Sequence, residues 1–156
     1  MSENDVQIVR LEPMRVASAY GFGESPELEA WQKILDFAES QGLLEQPGSY
    51  RFFGFNNPNP SPGSPNYGYE QWITVGPEIE AEGDIEIKEF PGGLYAATRC
   101  KGVSNIEAEW RRLLRWFEDS AYTKPPNFLQ CLEELLTAPS LPYEDYVFDL
   151  YLPIAQ

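Results

Sequence analysis

With histidine absent, carboxylates, tyrosines and cysteines are the groups this chain offers for acid–base chemistry. Its 156 residues include no histidine, and Cys100 and Cys131 stand at a spacing that fits no metal motif. Four acids stand out by position. Glu70 interrupts the aromatic and β-branched run YGYEQWITV (67–75), and Asp149 interrupts VFDLYLPI (147–154) in the same way. Glu133 and Glu134 adjoin in CLEELL (131–136), so in an extended strand Glu133 shares a face with Cys131 and Glu134 shares the other with Leu132. Periodicity leaves open which of the two faces inward. An acid among aromatic rings is a cation trap, in which a delocalised cation stacks on ring faces at about 0.5–2 kcal/mol per contact while the carboxylate offsets its charge. Burial raises the pKa of such an acid, and a bound cation lowers it again.

These residues are positioned by an internal duplication. A gapless offset of 79 residues aligns Ile8 with Ile87, Ala17 with Ala96, Gly23 with Gly102, Trp31 with Trp110, Leu35 with Leu114 and Glu39 with Glu118. The same offset lays Glu70 on Asp149 and Trp72 on Tyr151, so the acid in the strand belongs to a repeated unit. Repeats at about 5–78 and 84–155 predict two pseudo-twofold-related β-α-β-β units, an α+β fold with a mainly antiparallel sheet, two helices and a ligand groove between the halves.

Each repeat opens on a β-rich segment broken by Pro13 or by Pro91, Gly92 and Gly93, which predicts a bent or paired strand. A helix follows. Leu28, Trp31, Ile34, Leu35 and Ala38 recur at the spacing of one apolar face, as do Ile106, Trp110, Leu113, Leu114 and Phe117. Ser25 before Pro26 reads as a cap, Ser104 with Glu107 as a capping box, and Gly42 as a helix exit. The repeats then diverge, because 49–57 (SYRFFGFNN) alternates as a strand while its partner 128–136 (FLQCLEELL) has helical composition. The duplication argues for a strand over about 129–134 against local propensity. Between the last two strands of the first repeat, 56–66 holds four prolines and reads as a long, irregular hairpin loop.

Composition bounds the function. With 42% hydrophobic and 14% aromatic residues the chain builds one globular domain with a sizeable core. Its 25 acids against 11 bases, a net charge of -14, argue against direct nucleic-acid binding and favour cationic ligands or a basic protein partner. No leader and no apolar run of membrane length is present, and both thiols read as packed small hydrophobes, so the expected setting is soluble, reducing and cytoplasmic, away from membranes. No cofactor or metal is expected.

The ordered set YGYEQWITV, PGGLYAATRCKG, IEAEWRRLLRWFEDSAY, CLEELL and DYVFDLYLPI resembles the GyrI-like small-molecule-binding domain, the effector-binding domain of many AraC-type and MerR-type bacterial multidrug regulators. The resemblance covers about 5–154. No DNA-binding region precedes the first strand, so the chain resembles stand-alone members. In that family the acid after the second helix meets lipophilic cations in an aromatic cleft, and by position in CLEELL it is Glu133. The rings expected near it are Tyr69, Trp72, Tyr95, Trp110, Tyr146 and Phe148. Glu70 and Asp149 lie on the opposite side of their strands from Tyr69 and Phe148, and are expected to be exposed on a solvent face, with a place for Glu70 in the groove as the alternative.

The resulting expectation is a binding protein for hydrophobic, often cationic small molecules that sequesters or senses them. Some relatives hydrolyse strained cyclopropane-bearing natural products, which would make Glu133 a general base with Tyr69 or Tyr95 as donor. A third possibility, an inhibitor of another protein like the family's gyrase-binding namesake, rests on fold analogy and the acidic surface.

Overall fold

The computed structural model describes residues 6–46, 48–57, 62–127 and 129–156. Both repeats fold as strand, helix, strand, strand. The opening segments, expected to form a bent or paired strand, are each broken at the predicted point into two separate strands. Pro13 separates β1 (Gln7–Leu11) from β2 (Met14–Gly23), and Pro91 with Gly92 separates β5 (Glu86–Phe90) from β6 (Gly93–Lys101). Proline lacks the N–H that a continuous ladder would need there. The two pieces of each segment then part company, because β1 pairs with β6 and β5 pairs with β2. The chain accordingly gathers into two compact units, Pro13–Pro91 and Met1–Glu12 with Gly92–Gln156.

In the unit Pro13–Pro91, β2 leads into α1 (Pro26–Ser40), then β3 (Phe52–Asn56) and β4 (Tyr67–Thr74). Its four-stranded sheet has the order β3-β4-β2-β5 and is antiparallel throughout. Pro26 stands in the first turn of α1, and Gly42 turns the chain out of the helix at a φ of 71°. Ser25 occupies the cap position without a side-chain cap bond. The helix buries Ala30, Ile34, Phe37 and Ala38, whereas Leu28, expected on the apolar face, is 60% exposed. Trp31 meets Phe52 at a ring separation of 5.1 Å. The connection between β3 and β4 is the hairpin loop that the prolines predict, and its residues 58–61 lie outside the described residues.

Helix α1 lies so close on β2 that Gly21 has no room for a side chain. A Cβ there would overlap the Pro26 carbonyl oxygen and stand 3.1 Å from the Ala30 nitrogen, both backbone atoms that cannot swing aside. Gly21→Ala is expected to lower the urea-unfolding free energy by about 1–3 kcal/mol. A change below about 0.5 kcal/mol would show that the helix can lift from the strand at little cost.

The second unit adds α2 (Ile106–Glu118), β7 (Leu132–Leu135) and β8 (Val147–Pro153) to β1 and β6. Its sheet order is β1-β6-β8-β7, again antiparallel. The duplication is the better guide to the type of element here, though not to its bounds: 129–131 are irregular, and the strand runs from Leu132 opposite Tyr151 to Leu135 opposite Phe148 of β8. Ladder pairing and burial on both faces outweigh local propensity in so short an element. Helix α2 begins later than the capping-box reading places it, after a 3-10 turn at Val103–Asn105. Asn105 is the cap, its amide donating to the Lys101 carbonyl at 2.8 Å. Leu113 is the buried residue of α2, and Leu114 is exposed. Cys100 is buried as expected, and Cys131 is exposed. No helix among the described residues is long and apolar enough to cross a membrane.

Candidate functional site

Glu70 is not on a solvent face. It is 4% exposed, and Asp149 is 8% exposed. Register in the unit Pro13–Pro91 sets Glu70 and Trp72 of β4, Phe53 and Phe55 of β3, and Ser18 of β2 on the face away from α1. There the Glu70 carboxylate accepts hydrogen bonds from Ser18 Oγ at 2.9 Å, Asn57 Nδ2 at 2.6 Å, Trp72 Nε1 at 3.2 Å and Lys88 Nζ at 2.8 Å. Burial pushes its pKa up, but the hydrogen bonds from Lys88, Asn57 and Trp72 and the Lys88 charge outweigh that, so the carboxyl titrates below its usual value. Trp72 is buried beside it, edge-on to Phe55 at 5.0 Å and tilted against Phe90 at 5.8 Å. Glu70 is therefore the anionic centre of a buried polar network inside an aromatic core.

The same strand positions in the second unit carry a different arrangement. Tyr95, Ala97 and Arg99 of β6, Asp149 and Tyr151 of β8, and Leu132 and Glu134 of β7 share the face away from α2. Arg99, Asp149 and Glu134 are direct cross-strand neighbours in one row. Arg99 grips Asp149 through Nε to Oδ1 at 2.9 Å and Nη2 to Oδ2 at 3.2 Å. These bonds raise the guanidinium pKa, with smaller contributions from the charges of Asp149, Tyr151 and Glu134. Glu134 is 5% exposed, and Tyr151 donates its hydroxyl to Glu134 Oε1 at 2.7 Å. Tyr151 stands edge-on to Tyr95 at 6.0 Å. Tyr95 is fully buried and donates to the Gln130 carbonyl at 3.0 Å; burial, with the nearby Cys131, raises its pKa beyond the normal phenol range.

Glu133 points the other way. Its cross-strand partner is Leu150, whose own partner is Thr98, and Arg112 of α2 donates to Thr98 Oγ1 at 2.8 Å. On that helix-bearing face Trp110 Nε1 donates to Glu133 Oε2 at 2.7 Å. The expected rings thus divide between faces. Trp110 and Phe148 stand with Glu133 on the α2 side, and Tyr146, packed on Phe148 at 5.8 Å, donates to the Pro139 carbonyl at 2.5 Å. Tyr95 alone of the set accompanies Glu134. Tyr69 lies on the α1 side of its sheet, where Gly54 leaves space for its hydroxyl, and Trp72 belongs to the Glu70 network.

Sequence reasoning passed over Arg99, Lys88, Tyr151 and the buried role of Glu134. One signal was available. The 79-residue offset puts Glu134 on Phe55 just as it puts Tyr151 on Trp72, so the apolar partner of the aromatic residue in one repeat is an acid in the other. Among the described residues no three carboxylate or thiol groups converge as a metal cluster. What the Glu134 face offers is one buried carboxylate, two phenol rings and an ion pair beside them.

A family model described as the GyrI-like small molecule binding domain matches residues 4–155. Comparison with curated protein sequences finds no match. Among solved structures, the chain is similar to EcmrR in an EcmrR–DNA complex, with a TM-score of 0.74 and 14% identity over 97% of this chain. It spans 57% of that chain's length. It is also similar to a hydrolase from Listeria innocua, with a TM-score of 0.71, 11% identity and coverage of 99% of this chain and 94% of the other. A third similar structure is SAV2435 bound to tetraphenylphosphonium, with a TM-score of 0.57, 11% identity and coverage of 96% and 93%.

Proposed function

Because the chain belongs to the GyrI-like small-molecule-binding family, with residues 4–155 matching its model, we propose that it binds lipophilic, often cationic molecules at the β6-β8-β7 face, with Glu134 as the charge-recognising acid. The observation that carries this reading is the buried Glu134 at the position where the other repeat has Phe55. A carboxylate buried where the duplicate has a phenyl ring carries a desolvation cost that the ring does not, and recognition of a ligand's charge is a reason to keep it there. Tyr95 and Tyr151 supply ring faces for a delocalised cation. Glu133, which the family resemblance alone selects, is on this reading the acceptor that fixes the Trp110 indole on α2. Glu134, Tyr95 and Tyr151 are nearly or fully buried, so a ligand reaches them by displacing neighbouring groups.

Titration with tetraphenylphosphonium, followed by tryptophan fluorescence, tests the assignment. Glu134→Gln preserves shape and removes charge, and is expected to weaken binding about tenfold, equivalent to about 1.4 kcal/mol. The neutral triphenylphosphine oxide should lose much less, and Glu133→Gln should leave cation affinity within about threefold of the original. Equal losses for the two glutamates, or a loss confined to Glu133→Gln, would overturn the choice of Glu134.

The 2.7 Å hydrogen bond between Tyr151 and Glu134 also favours a second reading, since a carboxylate and a phenol in contact form a proton-transfer pair. The similar Listeria innocua protein is a hydrolase. Product analysis of strained-ring ligands separates the two: turnover abolished by Glu134→Gln supports hydrolysis, and saturation without product supports binding.

A further inference from the structure

We infer that the Glu70 network is a second cation site, one for primary ammonium groups carried on an aromatic or apolar body, and that Lys88 occupies it in the free protein as a tethered competitor. The inference concerns the unit Pro13–Pro91 alone and does not depend on the role proposed for Glu134. The buried Glu70 carboxylate already receives a primary ammonium, that of Lys88, on Oε1 at 2.8 Å, so its seat accepts the chemical group proposed for the ligand. The ammonium reaches it from outside. Lys88 stands on β5 opposite Val16 of β2, whereas Glu70 stands on β4 opposite Tyr20, so the lysine stem runs diagonally across the small Ser18 with 38% of its side chain open to water. Ser18, Asn57 and Trp72 donate to the same carboxylate, and they hold the anion in place when the lysine leaves.

Two features make the lysine exchangeable. The first is a single-point contact on a flexible stem. In the second repeat the matching acid, Asp149, is gripped by the two-pronged guanidinium of Arg99, its direct cross-strand neighbour, and the 79-residue offset puts Val9 where the first repeat has Lys88. In the first repeat Tyr20 takes the Arg99 position, and the cation arrives from β5 on four methylenes. The second feature is an alternative anion. Glu86, two residues before Lys88 on the same face of β5 and exposed, has its carboxylate 3.8 Å from the ammonium, so a lysine leaving Glu70 turns to another carboxylate. Tyr20 and Phe22, both exposed, share the face of Glu70, opposite Glu70 itself and Gly68, and the Tyr20 hydroxyl lies in the space a Gly68 side chain would fill. Their rings take the body of a ligand whose ammonium replaces that of Lys88. A tetraarylphosphonium has no N–H with which to replace that bond, so this site selects a different class of cation from the one proposed for the Glu134 face. A tethered competitor weakens such a ligand by the fraction of time that the seat is free.

The test is the affinity for 2-phenylethylammonium, measured by titration calorimetry. Lys88→Ala clears the seat and is expected to tighten binding about tenfold or more, whereas Lys88→Met, which removes the same charge but keeps the stem, should stay within about threefold of the original protein. The gain should vanish when Glu70→Gln is added to Lys88→Ala, and the neutral 2-phenylethanol should show none. Equal gains for alanine and methionine would mean that Lys88 acts only through the long-range field of its charge, and a gain that survives Glu70→Gln would put the ligand elsewhere; either overturns the inference. Because substituting Lys88 also removes an ion pair from the fold, the original protein supplies an independent readout. Its structure at saturating 2-phenylethylammonium should place the ligand nitrogen within about 3 Å of a Glu70 oxygen, with the Lys88 nitrogen nearer Glu86 than Glu70. Lys88 still on Glu70 under those conditions refutes the exchange.

Discussion

Glu70→Ala is expected to lower the unfolding free energy at about pH 7 by about 3 kcal/mol, one of the two largest effects predicted for this chain. The change strands two buried neutral donors, Ser18 Oγ and Trp72 Nε1, takes an acceptor from the exposed Asn57 amide, and removes the anion from beneath the Lys88 ammonium. Each buried donor left without an acceptor costs about 1 kcal/mol or more. Lys88 contributes less than a buried cation would, because its side chain is 38% exposed and turns to water. The contribution is also pH-dependent in a definite sense. The folded pKa of Glu70 lies below the value of 4.5 expected for the unfolded chain, so its stabilisation is complete above that value and is lost as pH falls through the folded pKa. Urea unfolding at stepped pH should show the Glu70→Gln protein losing less stability on acidification than the original. Parallel curves for the two proteins would mean that Glu70 is not held ionised by its network.

Trp72→Ala is expected to cost about 3–5 kcal/mol, enough to leave a marginally stable domain partly unfolded. The indole is 2% exposed and fills the space between Phe55 and Phe90, so its removal opens a cavity that two rings border at 5.0 and 5.8 Å. It also takes a donor from Glu70. Trp72→Phe separates these contributions, because it keeps most of the ring volume and loses the N–H; a cost of about 1–2 kcal/mol is expected, with the remainder assigned to volume. Chemical denaturation checks both. If alanine costs no more than phenylalanine, the core collapses around the missing ring and the cavity estimate is wrong.

Much of the architecture could be read from residue order, and for one reason: a gene duplication writes the fold twice, so each half checks the other. The offset that pairs Trp31 with Trp110 and Glu70 with Asp149 predicted β-α-β-β twice, and it correctly set aside the helical composition of 128–136 in favour of the strand Leu132–Leu135. Prolines and glycines at 13 and 91–93 announced breaks in the opening strands. Alternation established that Glu133 and Glu134 lie on opposite faces, since side chains of a strand alternate whatever it packs against.

Tertiary structure decided what covers each face. Alternation is symmetric and carries no label for inside, so Glu70 and Asp149 could be read as exposed until the strands assembled and brought Lys88 from β5 and Arg99 from β6 beside them. Partners 18 and 50 residues away in the chain, like the 23 that separate Trp110 from Glu133, leave no local trace in composition or period. The exchange of β1 and β5 between sheets is equally non-local, because proline specifies where a ladder stops and not which edge the freed segment finds. The acids and rings were thus determined by the sequence itself, whereas their division into a Glu70–Lys88 pair in the core, a helix-facing indole acceptor and a buried Glu134 on the face of the Arg99–Asp149 pair came only from register, packing and the long-range approach of two basic side chains.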